Sequence, residues 1–368
     1  MAQKEVKLQA LNVDDFEIKA RSQLSQPIYD FFAGGANDEI SLSHNVTAFK
    51  NIRLQPRVLT GKMQYDISTS ILNHELKLPI LLAPAAFQQL LHEEGEIATT
   101  QAAEELGIIN ILSTLSTFTL EHIKSTVNNP VWFQLYIFKD RGLSESLIKR
   151  AESAGYQAIV VTVDVPIMGR RWRDARNNLQ LSIQDLAKNI FSYPPENNSI
   201  ENVKLFTDTL FDNRLTWQDI TWLQSITKLP IIIKGITHPD DAKIALEVGV
   251  AAIIVSNHGG RQLDGMPATI EVLPHIAKQI NNKIPLLLDS GVRRGSDIFK
   301  ALALGADAVL VGRPYLWGLN VNGQQGVVDV VTLLKNELCD TMTLCGFSTI
   351  EDIKSHGKSS IWSTAPCS

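Results

Sequence analysis

The sequence predicts an α/β protein, a (β/α)8 TIM barrel with an N-terminal helical extension and a long loop after strand 4. Three observations carry that expectation. Eight short Val/Ile/Leu-rich runs recur along the chain, each continuous rather than alternating, as strands buried on both faces are. Segments of helical length separate them, several closing on a glycine. The 368 residues are long for one ordinary domain but suit a barrel that folds as one unit.

The apolar runs span 78–84, 107–113, 131–137, 158–164, 229–235, 251–257, 284–290 and 307–313. Helices are expected over 92–107, 143–155, 216–227, 238–249 and 295–305, with Thr216 and Ser296 as N-caps. Strand then helix, repeated eight times, is the pattern of a parallel sheet closed into a barrel. An open doubly wound sheet is the rival, but it seldom needs eight such regular units. Residues 1–77 form the extension, in which SQPIYDFFAGGANDE reads as a helix followed by a glycine-rich turn. The barrel occupies 78–350. Its inserted loop, 165–215, contains the polar, turn-rich YPPENNSIEN and is placed to cover an active site. The tail, 351–368, has no assigned role; packing on a neighbouring subunit and disorder are equally open. The whole of 1–368 is read as a single domain.

Composition narrows the function. Hydrophobic content of 44%, charged content of 20% and a net charge of −5 describe an ordinary globular enzyme without a basic face for nucleic acid. The 3 cysteines, Cys339, Cys345 and Cys367, lack zinc or redox spacing, so neither a metal nor a disulfide is expected. The polar N-terminus has no signal-peptide core, and no apolar run approaches the ~18 residues of a membrane span. The final APCS is not a peroxisomal tripeptide. A cytoplasmic protein with no membrane partner is expected.

Chemistry in such a barrel belongs to the loops at the C-terminal strand ends. Those ends carry Pro84, Ala85 and Ala86; Ser113; Gln134 and Tyr136; Thr162 and Asp164; Lys234; Ser256, Asn257 and His258; Asp289, Gly291 and Arg293; Gly312 and Arg313. The Gly/Arg pairs on the last two loops suit a phosphate. Lys234 closes an apolar strand, where a lysine needs an anion; Asp289 or a bound group could supply it. His258 sits in SNHGGRQLDG, with Asp164 two strands earlier as an orienting carboxylate. Arg261 and Arg170 are candidate clamps for a carboxylate, whereas Arg171 and Arg173 read as a solvated basic run.

These residues resemble those of the FMN-dependent α-hydroxy-acid oxidases, the group of glycolate oxidase, lactate oxidase, flavocytochrome b2 and mandelate dehydrogenase. The likeness runs from YDFFAGGANDE to about residue 350 and includes SNHGGRQLDG, WFQLYIFKDR and DSGVRRGSDIFKALALGADAVLVGRP. The resemblance implies FMN as cofactor, which the residues alone could not name: a phosphate cradle, a lysine and a histidine would also serve a sugar-phosphate enzyme. It implies His258 as base, oriented by Asp164, with Arg170 and Arg261 on the substrate carboxylate and Tyr136 on the oxygen of the reacting carbon. Lys234 would stabilise charge on the reduced flavin. Ser113, Gln134, Thr162 and Ser256 would lie by the flavin, and Asp289, Gly291, Arg293, Gly312 and Arg313 by its phosphate end. A homotetramer or homo-octamer is also implied.

The departures bear on substrate. The family's carboxylate-binding tyrosine is Phe31 here, which cannot donate a hydrogen bond. Leu115 stands where glycolate oxidases carry a tryptophan, and Ala85 and Phe211 also differ. A small acid is therefore held less tightly, and a lactate-like or bulkier 2-hydroxy acid is expected over glycolate. The short extension leaves no room for a fused cytochrome domain, so O2 is the expected acceptor, with hydrogen peroxide as product. The alternatives are a dehydrogenase of the same family using a quinone or carrier protein, and a flavin-binding relative with altered or lost activity. An isomerase-type FMN barrel shares the phosphate loops but does not normally carry the histidine–arginine pair.

Overall fold

A computed structural model describes residues 10–61, 65–190 and 203–362. The YPPENNSIEN segment and residues 363–368 of the tail lie outside the described residues. Eight parallel strands close into a barrel. They are β1 (Ile80–Leu82), β2 (Asn110–Leu112), β3 (Val131–Leu135), β4 (Ile159–Thr162), β5 (Ile231–Ile236), β6 (Ala252–Val255), β7 (Leu286–Leu288) and β8 (Ala308–Val311). Each pairs with its neighbours in sequence, and β8 pairs with β1. All eight apolar runs are therefore strands, shorter than the runs because their ends turn out into loops.

The strands are mostly apolar because both faces are covered; Asn110, Gln134, Thr162 and Lys234 are the polar exceptions. Alternate residues divide between two cores. Leu81, Ile111, Trp132, Val160, Ile232, Ile254, Leu287 and Leu310 fill the interior of the barrel. Ile80, Leu82, Phe133, Ile159, Val161, Ile233, Val255 and Val309 pack outward under the helices. The hairpin of Thr69–Ile71 and His74–Leu76 adds Ile71 and Leu76 to the interior core. Continuing the alternation one step toward the strands' C-terminal ends brings Ala83, Ser113, Gln134, Thr162, Lys234, Ser256, Asp289 and Gly312 into one layer. The barrel core thus ends in a layer that is mostly polar.

The extension supplies α1 (Val13–Gln23), α2 (Gln26–Ala33) and α3 (Ile40–Asn51). The helix and glycine turn expected in SQPIYDFFAGGANDE are α2 and Gly34–Gly35. The insertion is less loop-like than expected, since short helices form at Trp172–Asn177, Ile183–Leu186 and Val203–Leu210. Its far end is tied to β3's exit: Asp212 N donates to Ile137 O at 3.0 Å, and Lys139 N to Leu210 O at 2.9 Å.

Two expectations are corrected. Ser296 does not cap its helix. The helix Gly295–Ala303 has Arg294 as N-cap, two residues earlier, and the Asp297 carboxylate accepts from the Arg293 and Arg294 amides at 3.0 Å each. The described part of the tail also packs within its own chain. Ile361–Trp362 pairs antiparallel with Arg53–Leu54. Among the described residues, no helix is long and apolar enough to cross a membrane.

Candidate active site

One cavity lies over the polar layer. Phe31, Pro84, Ala85, Ala86, Ser113, Leu115, Gln134, Tyr136, Thr162, Phe211, Lys234, His258, Arg261, Asp289, Gly291, Arg293, Gly312 and Arg313 all border it. Most of the residues singled out in the sequence therefore meet at one place.

His258 borders the cavity and pairs with Asp164. Its Nδ1 lies 2.9 Å from Asp164 Oδ1, so Nε2 is left for the cavity. Burial lowers the imidazole below its ordinary value, and the Lys234 and Arg171 cations push the same way, outweighing the Asp164 carboxylate. A lowered imidazole favours the neutral ring. Burial alone would raise Asp164, but His258 and Lys234 hold it below the ordinary carboxylate value. Gly235 makes room for this pair. Its φ of +117° bulges β5, and a Cβ there would stand 2.7 Å from Asp164 Cβ.

Lys234 is 4% exposed. Its Nζ meets Asp289 Oδ2 at 2.9 Å and Ser256 Oγ at 2.8 Å. Burial would lower the ammonium, but Asp289 and Asp164 outweigh it and raise it above the usual lysine value. Beside it the Gln134 amide donates to Thr162 Oγ1 at 3.0 Å and accepts from Thr114 N at 3.1 Å.

Four guanidinium groups complete the site, and one is not the arginine expected. Arg170 is exposed and does not border the cavity; its carbonyl accepts from Asn37 N. Arg171 borders the cavity, with a side chain 10% exposed and its Nε buried without a protein partner. Arg170, expected as a clamp, thus lies outside the cavity while its neighbour Arg171 borders it, and the reading of Arg171 as solvated is corrected. Arg173 is not simply solvated either, pairing with Asp30 at 3.3 Å and with Glu39. Arg261 donates to Gly34 O at 2.7 Å and lies 5.6 Å over the Phe31 ring. Arg313 reaches the Phe32, Gly34 and Gly259 carbonyls at 2.8–3.0 Å. Burial lowers all four arginines, Arg313 to about 9, and Arg171 and Arg313 push Arg261 down further. Such a cluster calls for anions.

Ser256 is a second correction. It is fully buried and absent from the cavity wall, holding Lys234 Nζ and accepting from His258 N at 3.0 Å instead. The walls are apolar where expected. Phe31, Leu115 and Phe211 are each 5% exposed, and Tyr136 stacks on Phe211 at 4.5 Å. Desolvation raises the Tyr136 hydroxyl above its ordinary value, which keeps it a donor.

The donor set fits FMN. Gln134, Ser113, Thr162 and Lys234 offer an amide, hydroxyls and an ammonium to the polar edge of a flat ring, over the small residues 83–86. Arg293 and Arg313, with the backbone at Gly291 and Gly312, offer charge and N–H groups to a phosphate. The sequence reading gave no role to Asn45 or Gly235, neither of which carries the chemistry that draws attention to a site.

The family model for FMN-dependent dehydrogenase matches residues 20–360. The L-lactate oxidase of Nostoc sp. is 47% identical, covering 93% of this chain and 96% of its own. The Arabidopsis thaliana peroxisomal (S)-2-hydroxyacid oxidase GLO4 is 46% identical, covering 94% and 95%. A crystal structure of mandelate oxidase superposes with a TM-score of 0.88 at 40% identity, covering 94% and 97%. The name of the Arabidopsis enzyme corrects the cytoplasmic expectation. Close relatives reside in peroxisomes, and location follows receptor-read signals rather than the composition a barrel needs. By sequence, fold and donor set, the chain belongs to the FMN-dependent α-hydroxy-acid oxidase and dehydrogenase family.

Proposed function

We propose that the protein oxidises an L-2-hydroxy acid carrying a side chain larger than hydrogen, lactate-like or bulkier, to the 2-oxo acid. The observation that carries this reading is the His258–Asp164 pair opening toward two buried guanidinium groups, Arg171 and Arg261. Those two hold the carboxylate. Tyr136 donates to the oxygen on the reacting carbon, and His258 takes a proton at Nε2. Asp164 then balances the imidazolium. Lys234, kept charged by Asp289, holds positive potential beneath the cavity. When bound, FMN supplies the two-electron acceptor, and O2 takes the electrons on to hydrogen peroxide.

Phe31, Leu115 and Phe211 support the substrate preference. The apolar wall offers Arg261 an aromatic face instead of a hydroxyl. A missing hydrogen bond to a charged group costs about 1.5–3 kcal/mol, which a larger side chain recovers by apolar burial. The extension's Phe31 and the insertion's Phe211 both border the cavity, which supports reading the whole chain as one functional domain. The homotetramer or homo-octamer belongs to the same reading and is checked by light scattering. Turnover of glycolate, lactate, 2-hydroxyoctanoate and mandelate, with peroxide detection, tests the substrate. A preference for glycolate refutes it, and flavin bleaching without peroxide on readmitting air points to a dehydrogenase.

A further inference from the structure

We propose that Asn45 is a positioning residue for His258, the central tie of a latch between α3 and the loop 256–266. The proposal rests on His258 being the base of the reaction above.

SNHGGRQLDG sends its polar side chains two ways. His258 and Arg261 face the cavity; Asn257 and Asp264 face α3. The Asp264 carboxylate accepts from Asp38 N at 3.1 Å in the turn before that helix and from the helix's first amides, Ile40 N at 3.4 Å and Ser41 N at 2.8 Å. In return Ser41 Oγ accepts from Met266 N at 2.8 Å. One turn further along α3, Asn45 and Asn257 form a cyclic pair: each amide nitrogen donates to the other's oxygen at 2.8 Å. The two side chains belong to residues only 2% and 3% exposed. The contact is close because Gly260 has no side chain. A Cβ there would stand 2.5 Å from Leu42 N.

The latch acts on a strained residue. His258 has φ +57°, left-handed backbone that a non-glycine residue keeps only when its surroundings impose it. Asn257 imposes it by spanning the turn, its Oδ1 accepting from Gly260 N at 3.2 Å. That amide has one useful orientation, which Pro267 O also favours by accepting from Nδ2 at 3.3 Å, and Asn45 holds it with the two shorter bonds, matching donor to acceptor on both atoms. Without Asn45 the Asn257 amide loses its two shortest bonds in a buried place and keeps only Gly260 N at 3.2 Å and Pro267 O at 3.3 Å, the turn relaxes, and the imidazole leaves Asp164.

The test uses FMN-loaded Asn45→Ala. The rate of anaerobic flavin reduction, read per bound flavin at saturating acid, falls about 10- to 100-fold, the effect of misplacing a catalytic group by about 1 Å. The acid concentration for half-saturation changes less than threefold, since Arg261 keeps its own anchor on Gly34 O. Asn257→Ala behaves alike, and the double variant loses no more than the worse single one. In nitrogen-labelled protein, the His258 Nδ1–H resonance of the pair with Asp164 shifts or is lost. Asn45→Asp keeps the shape and one hydrogen bond and falls between; it stands in if the alanine variant does not fold. An Asn45 variant with wild-type reduction and an unmoved His258 resonance overturns the proposal, whatever its melting temperature. His258→Gln, measured in parallel, separates the failures: wild-type reduction there refutes the base, while the resonance still reports on the latch.

Discussion

Exchanging each of two adjacent arginines for methionine distinguishes a cavity group from a surface group. Arg171 is nearly buried, borders the cavity and has an Nε without a protein partner. Its nearest carboxylate, on Asp174, is 3.9 Å away, so its charge is only partly balanced within the protein. A bound carboxylate completes the balance. Truncating one side of a buried charge pair costs about 2–5 kcal/mol, so Arg171→Met lowers kcat/KM by roughly 30- to 5,000-fold. The same substitution removes a cation that repels Arg261 and Arg313, so the ligand-free protein melts no lower than wild type. Arg170→Met changes kcat/KM by no more than about twofold, as a solvated charge does. Steady-state kinetics on the best acid, with thermal melts of both variants, decide the matter. A large loss for Arg170→Met with little for Arg171→Met refutes the assignment and the geometry behind it.

The remaining predictions concern titration and ligand removal. Because the His258 imidazole is held below 6.5, kcat/KM stays level as pH falls from neutrality and declines only below that value, where the base protonates. An acidic limb centred above 6.5 contradicts this. Stripping FMN leaves the Arg293 and Arg313 guanidiniums desolvated without their anion, so the apoprotein melts at a higher temperature in phosphate than in chloride of matched ionic strength. The gain is about 2.7 kcal/mol at a hundred times the dissociation constant, and identical melts in the two salts refute the phosphate assignment.

The barrel was legible because parallel strands buried on both faces are apolar along most of their length, and eight such runs recur with helical segments between them. The polar layer over the core was half legible. Gln134 and Thr162 stand out as polar residues in apolar runs, and their spacing already placed them beside Tyr136 and Asp164. Lys234 was readable in both its senses, and the ion pair with Asp289 is present. Arg170 and Arg171 show the limit. The backbone at Arg171 is extended, with φ −115° and ψ 103°, so consecutive side chains there point apart, and composition does not say which one turns inward. Ser256 failed for a related reason. It lies in the right layer, yet two neighbours consume its hydroxyl. Asn45 was invisible because its partner is 212 residues away and neither amide carries a charge.

The two nitrogen bases at the bottom of the cavity are both raised by carboxylates and lowered by burial, and the balance falls in opposite directions. Asp164 touches His258 and also acts on Lys234, while Asp289 acts on Lys234 from the other side. Lys234 therefore gains more from its neighbours than burial removes, keeps its proton, and serves as a fixed charge. His258 has one carboxylate against burial and two cations, so its imidazole is lowered, as the proton acceptor of the proposed reaction requires. Raising one base and lowering the other is how a site assigns an electrostatic role and a proton-transfer role to groups a few ångströms apart. The four guanidiniums lack that internal balance, so negative charge from a substrate or a phosphate is drawn to them rather than to the ammonium that Asp289 already satisfies.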